Sequence, residues 1–192
     1  MTGLPKRPIL GDDAQSIALI ALRHCMFPHP KTVISFSGPV FPTIRDQKNR
    51  LQVDHDNGLL LDDNVTPRWA LFWSHGIGAT HHPKGWTIAH VWACPKDPEA
   101  YTHLANLTLL PESLGSLSDK GGPLCQFLEY HAYSVYDWIP KGFKQPQKPE
   151  GFDGISWQYF PPIENAKNFV HDRVMDLNNQ RVKALRPLMG LE

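Results

Sequence analysis

"GWTIAHVWACP", Gly85–Pro95, is the stretch whose reading decides the fold. Trp86, Thr87, Ile88, Val91 and Trp92 are aromatic or β-branched, side chains that suit a pleated, half-buried surface, and the run ends against Pro95. A strand carrying His90 near its end is therefore expected. Downstream, "NLTLL" (Asn106–Leu110) has the composition of a second short strand, followed by the turn-prone "PESLGSLSDKGG" (Pro111–Gly122). "PLCQFLEYHAYSVYDW" (Pro123–Trp138) then repeats Leu124, Phe127, Leu128, Tyr130 and Val135 at helical spacing. Strand, loop, strand, turn and helix in that order predict an α+β fold.

Upstream, "DDAQSIALIALRHCMF" predicts a first helix, with Asp12 or Asp13 as cap and Ile17, Ile20, Ala21 and Cys25 on its packing side. "KTVISFSGPVF" has strand composition interrupted by Gly38 and Pro39 and predicts short strands. "RLQVDHDNGLLLDDN" predicts a hairpin, because Asn57-Gly58 supplies the left-handed backbone of a tight turn. "NVTPRWALFWSHG" opens a helix with Thr66 as N-cap, Pro67 at the first helical position and Gly76 at the end; Trp69, Phe72 and Trp73 pack it on the core. After residue 138, "IPKGFKQPQKPEGFDG" predicts an extended strap, ordered on contact, or a linker. One closing helix is expected to pack through Phe169, Val170, Val174, Leu177 and Val182. Residues 1–140 form the main domain on this reading, and 141–192, strap and helix, pack on it.

Composition narrows the function. The 192 residues are 41% hydrophobic and 20% charged, with 19 basic and 19 acidic side chains and no formal net charge. That is a globular composition, and neutrality weighs mildly against a nucleic-acid partner while leaving room for a local basic patch. Three scattered cysteines offer neither a disulfide framework nor a paired zinc motif. With no apolar run of membrane-spanning length and no secretory h-region, a cytoplasmic protein with no membrane partner is expected.

The strand ending in His90, the loop, the Asn106-Leu107 step with "TLL" behind it and the following helix resemble the HNH (His-Me finger, ββα-metal) endonuclease family over about residues 86–136. The resemblance implies a ββα-metal core, embedded here in an additional hairpin and flanking helices. It implies a divalent metal, best Mg²⁺ given oxygen ligands, and DNA or RNA as substrate. His90 becomes the general base that deprotonates the attacking water, a role suited to an imidazole titrating near neutral pH. Asn106 either orients the His90 ring through its amide or ligates the metal. The sequence departs from the family at Ala89, where an acidic ligand often precedes the base, and at Gly115, near the third motif position. Asp119 is the nearest substitute ligand. The paired cysteine zinc staple of many members is absent.

Other constellations compete. Asp54-His55 begins like the same motif, but the tight turn follows at once and favours a structural hairpin. His75, His81, His82 and His90 could form a metal-binding cluster; adjacent histidines point apart on any regular element, which favours a surface loop. Asp62-Asp63-Asn64 fits a helix entry, with carboxylates near the positive end of the dipole. His131 reads as a packed histidine, and Cys125 beside it lacks an orienting third residue. Lys141, Lys144, Lys148, Lys167, Arg173, Arg181, Lys183 and Arg186, interleaved with acids, read as solvated faces rather than phosphate contacts. The leading expectation is a metal-dependent endonuclease. The alternatives are an inactive HNH-like domain that binds nucleic acid or protein, and a metal hydrolase built on the histidine cluster.

Overall fold

The computed structural model describes residues 11–81, 83–118 and 121–191. Helix α1 (Gly11–Leu22) buries Ala18, Ala21 and Leu22, with Cys25 just beyond it. Ile20, expected on the packing side, is 53% exposed. The small residues, not the isoleucines, set the helix phase, because they let α1 come close to its neighbour. Strand β1 (Met26–Phe27) leads to helix α2 (Pro30–Ser35), which stands where short strands were expected. The β-branched run "TVI" is outweighed by its entry: His29 Nδ1 accepts the Lys31 N–H at 3.1 Å and Pro30 occupies the first turn.

Strands β2 (Thr43–Arg45), β3 (Val53–Asp54) and β4 (Leu59–Asp62) form a small sheet in the order β2-β4-β3. The expected hairpin is present as antiparallel β3–β4, with Asp54 opposite Leu59. Its turn uses Gly58 at φ 65° and an Asn57 N–H donated to Asp54 Oδ1 at 3.2 Å. Strand β2 runs parallel to β4. Helix α3 (Val65–Trp73) follows, entered two residues earlier than expected, with Asn64 rather than Thr66 at the cap position. Thr66 lies inside it, and its N–H and hydroxyl both donate to Asp62 Oδ2 at 2.6 Å. Asp62 therefore satisfies the helix start, as the carboxylate-near-dipole reading anticipated.

Strand β5 (Trp86–His90) pairs antiparallel with β6 (Leu107–Pro111), from Trp86 opposite Pro111 to His90 opposite Leu107. Between them lie the short helix α4 (Pro98–Tyr101) and a 3-10 turn at Leu104–Asn106. A second 3-10 turn, Glu112–Ser118, leads from β6 toward helix α5 (Pro123–Tyr136). The strap then runs without regular structure, apart from a 3-10 turn at Phe152–Gly154, into β7 (Gln158–Tyr159). The single closing helix expected is two, α6 (Ala166–Asp176) and α7 (Gln180–Leu188). Asn179 restarts the helix by accepting the Val182 N–H at 3.1 Å.

The larger sheet has the order β5-β6-β1-β7 and is buried on both faces. On one side Leu107 and Leu109 share a core with Trp69, Phe72 and Trp73 of α3, Val170 and Val174 of α6, and Val182 and Leu185 of α7. On the other, Ala89 and Leu110 meet Ala18, Ala21 and Leu22 of α1, with Leu124, Phe127, Leu128 and Ala132 of α5. A strand covered on both faces reads as a near-continuous apolar run; "LTLL" is one interrupted only by Thr108, whose hydroxyl donates to Met26 O at 3.1 Å. The architecture is mixed α+β with two small mixed sheets.

Candidate active site

His90 closes β5 opposite the first residue of β6, so the hairpin register fixes its backbone. Its Nε2 lies 3.0 Å from the Tyr101 carbonyl oxygen. A carbonyl only accepts, so Nε2 carries the proton and Nδ1 keeps a free lone pair. Nδ1 makes no hydrogen bond among the described residues. The ring stacks on that of Tyr101 at 5.3 Å and 7°. Burial pushes the His90 pKa down to about 4, with the Tyr101 carbonyl opposing and the Arg45 charge assisting. The imidazole is therefore neutral at neutral pH and a weaker base than the near-neutral titration expected from the sequence implies.

The loop that supplies the Tyr101 carbonyl is held by Asn106. This residue is fully buried. Its Oδ1 accepts the Trp92 N–H at 2.8 Å, and its Nδ2 donates to Ala100 O at 2.9 Å and Trp92 O at 3.3 Å. Asn106 thus cross-links both ends of the loop, whereas its sequence-based roles were to orient the His90 ring directly or to bind metal. A buried amide whose hydrogen bonds all go to the backbone offers no open face to a metal ion. Its effect on His90 passes through the loop, one peptide from Ala100 to Tyr101.

Tyr101 is anchored in turn by Asn64. The Tyr101 hydroxyl donates to Asn64 Oδ1 and accepts the Asn64 N–H, each at 3.0 Å. Asn64 sits at φ 76°, a left-handed conformation that turns its backbone N–H toward the tyrosine. Asn64 and Tyr101 escaped the sequence reading as supports of His90. The only signal was an Asn ahead of a helix, and Asn is common there for other reasons.

His90, Tyr101 and Asn64 line a cavity of about 470 Å³ with Arg45, Cys94, Ser118, Cys125 and Glu129 among its walls. Glu129 and Cys125 lie one turn apart on α5, which delivers both to the same wall. Burial raises the Glu129 pKa. Arg45 is exposed and has no ion pair among the described residues. Neither Arg45 nor Glu129 belongs to any recognisable motif. Gly115 also lines the cavity, and a Cβ there would come within 3.0 Å of Thr87 Cγ2. The 3-10 turn therefore packs closely on β5 and leaves little room for a side chain at residue 115. Asp119, the substitute ligand, lies outside the described residues.

Among the described residues no group of three His, Cys, Asp or Glu side chains could hold a metal. Mg²⁺ needs less from a protein, since one or two carboxylates plus substrate phosphates and water satisfy it. Glu129 is the carboxylate among the described residues that line the cavity.

The competing constellations resolve structurally. His75 is 3% exposed and spends both nitrogens: Nε2 accepts the His29 N–H at 3.0 Å, and Nδ1 lies 2.7 Å from Leu71 O. His81 pairs with the Thr80 hydroxyl, and His82 lies outside the described residues. His131 is packed as expected, 1% exposed with Nε2 3.0 Å from the Tyr159 hydroxyl. The Cys125 thiol donates to Ser118 O at 3.1 Å, so it is not paired with His131. Several cations have structural duties: Lys148 pairs with Asp153, Arg181 with Asp62 and Asp63, and Arg186 caps carbonyls of α6. No helix among the described residues is long and apolar enough to cross a membrane. Comparison with protein-family models, curated proteins and solved structures finds no match to this chain.

Proposed function

We propose that the chain is an HNH-like phosphodiesterase that hydrolyses nucleic acid, DNA or RNA, with His90 as general base. The observation that carries this reading is the tautomer of His90. The residue ends the first strand of a strand–loop–strand–helix run and lines a cavity, its Nε2–H is committed to a backbone carbonyl, and its Nδ1 has no hydrogen-bond partner among the described residues. In the reaction Nδ1 takes a proton from a water molecule as its oxygen bonds to phosphorus, the P–O ester bond breaks, the leaving oxygen takes a proton from solvent water, and His90 returns the proton it took to solvent. Asn106, through the loop, and Asn64, through Tyr101, keep the imidazole in place while it changes charge. Arg45 supplies positive charge at the same cavity, where the attacked phosphodiester is anionic. Mg²⁺, held by Glu129 together with phosphate oxygens of the substrate, would stabilise the charge that builds on the phosphate and leaving oxygen.

Nicking of supercoiled plasmid and cleavage of single-stranded DNA and RNA, with Mg²⁺ or Mn²⁺, test the reading. The wild type is expected to cut at least one substrate. His90→Gln, which keeps the polar contact, and His90→Ala should each lose roughly 10²- to 10⁴-fold while circular dichroism stays native. Wild-type protein inert on every substrate and metal, or His90 variants as active as wild type, would remove the proposal.

A further inference from the structure

The strap brings an aromatic ring to the cavity that holds His90, with two lysines beside it in sequence, and the phosphodiesterase reading leaves all three unused. Phe143 is 49% exposed, yet it lines the same cavity as His90. A lone exposed phenylalanine is ordinary. This one is presented by an ordered turn. Its N–H donates to Pro140 O at 3.2 Å, and Gly142 at φ 86° reverses the chain just before it. The turn grows from Trp138, which stacks on His103 at 4.4 Å and meets the edge of Trp92 at 5.3 Å. Phe143 itself touches Trp92 only edge-on at 6.5 Å, so much of its ring remains open. A fixed aromatic surface of this kind binds without a large ordering cost.

Lys141 and Lys144 flank Phe143 in sequence, and Lys141 also lines a neighbouring cleft with Asp97 and Glu99. Both are exposed, and neither has an ion pair among the described residues, unlike Lys148, which holds Asp153 at 2.6 Å. Arg45 is an unpaired cation that lines the cavity itself. Cations alternating with an open aromatic ring are the chemistry of single-stranded nucleic acid: phosphates meet the cations and an unpaired base lies on the ring. A duplex cannot use the ring, because its bases are already stacked inside and only grooves and phosphates face outward.

We propose, resting on the phosphodiesterase reading, that the substrate is single-stranded nucleic acid, with an unpaired base stacked on Phe143 and adjacent phosphates on Lys141 and Lys144. Phe143 is then a specificity residue, and the bond presented to His90 lies beside the stacked nucleotide.

The experiment uses the full chain and short fluorescein-labelled DNA and RNA oligonucleotides of one sequence, single-stranded or annealed. Binding is read by anisotropy in the His90→Ala background, and cleavage is read in the His90 background. Single strands are expected to bind at least tenfold more tightly than duplexes. Phe143→Ala should weaken single-strand binding about tenfold, in keeping with stacking on one base, and leave duplex binding where it was. Phe143→Trp should restore it. In cleavage the Phe143→Ala loss should fall mainly on KM. Equal affinity for single strands and duplexes, or a Phe143→Ala protein that binds single strands like its parent, overturns the inference. Cleavage of duplex and single strand at equal rates overturns it too, and leaves the phosphodiesterase reading standing. Tight, Phe143-dependent single-strand binding by a wild type that cuts nothing would keep the recognition surface and remove the catalysis.

Discussion

At His90 two influences oppose each other. Burial disfavours the imidazolium, the Tyr101 carbonyl favours it, and burial prevails, leaving the pKa at about 4. This makes a definite prediction for the rate. A base works when unprotonated, so activity persists as pH falls until the folded pKa is approached. An unperturbed imidazole would lose half its activity near pH ~6.5. The acid limb of kcat/KM should therefore lie below about pH 5 in brief assays, with circular dichroism recorded in the same buffers. A half-loss near 6.5 in folded protein would mean that His90 titrates like an exposed histidine. Position and partner differ in how legible they are. The sequence marks His90 and Asn106 by their places at strand boundaries. It does not show where the Asn106 amide points, because Trp92 and Ala100 reach it only after the loop has folded back. Arg45, Asn64 and Glu129 arrive from three other elements, and no local pattern joins them.

At the scale of elements, boundaries are set by single polar side chains more than by composition. Helix α2 illustrates this: its β-branched run suggests strand, and His29 with Pro30 make it helix. The split between α6 and α7 was equally hidden, because apolar spacing runs through it and only Asn179 marks the restart. The gap is closed by Arg186 of α7. Its Nε donates to Val174 O at 3.2 Å, and its Nη2 donates to Met175 O at 2.7 Å and Leu177 O at 2.8 Å. These carbonyls, at the end of α6, have no continuing helix to accept from. A planar guanidinium can serve all three at once, and an ammonium cannot reproduce the fork. Arg186→Ala is expected to cost about 1.5–3 kcal/mol in urea unfolding, the usual range for hydrogen bonds to a charged group. Arg186→Lys should recover only part of it. An Arg186→Ala protein as stable as its parent would show that water caps α6 equally well.

For the whole molecule, the two apolar cores on either side of the larger sheet share a polar feature: neutral histidines built into or against them. Burial holds His75, His90 and His103 at about 4 and His131 at about 3. Unfolded, each returns to about 6.5. Between those values the unfolded chain binds more protons than the folded one, so stability rises with pH across the window and is lost as pH falls from about 6.5 toward 4. The buried Asp62 carboxyl acts lower. Burial would raise it, but the Thr66 hydrogen bonds and the Arg181 charge outweigh burial and hold it below the usual range, so its contribution fades only at more acid pH. His75 and His131, 3% and 1% exposed, carry full weight, while His90 and His103 are only half-buried and carry less. Each fully buried group forfeits about 2 kcal/mol at pH 5 relative to pH 7.5, so this pair alone accounts for about 4 kcal/mol. That is a large share of the 5–15 kcal/mol typical of a domain. Urea midpoints measured at pH 7.5, 6 and 5 should fall steadily. In His131→Phe, which keeps the aromatic packing against Phe27 and Trp157 but cannot titrate, the drop from pH 7.5 to 5 should shrink by about half of the pair's share. A pH-independent midpoint in the parent would show that the four rings protonate in place without opening the core, and an unchanged slope in His131→Phe would move the acid sensitivity onto His75.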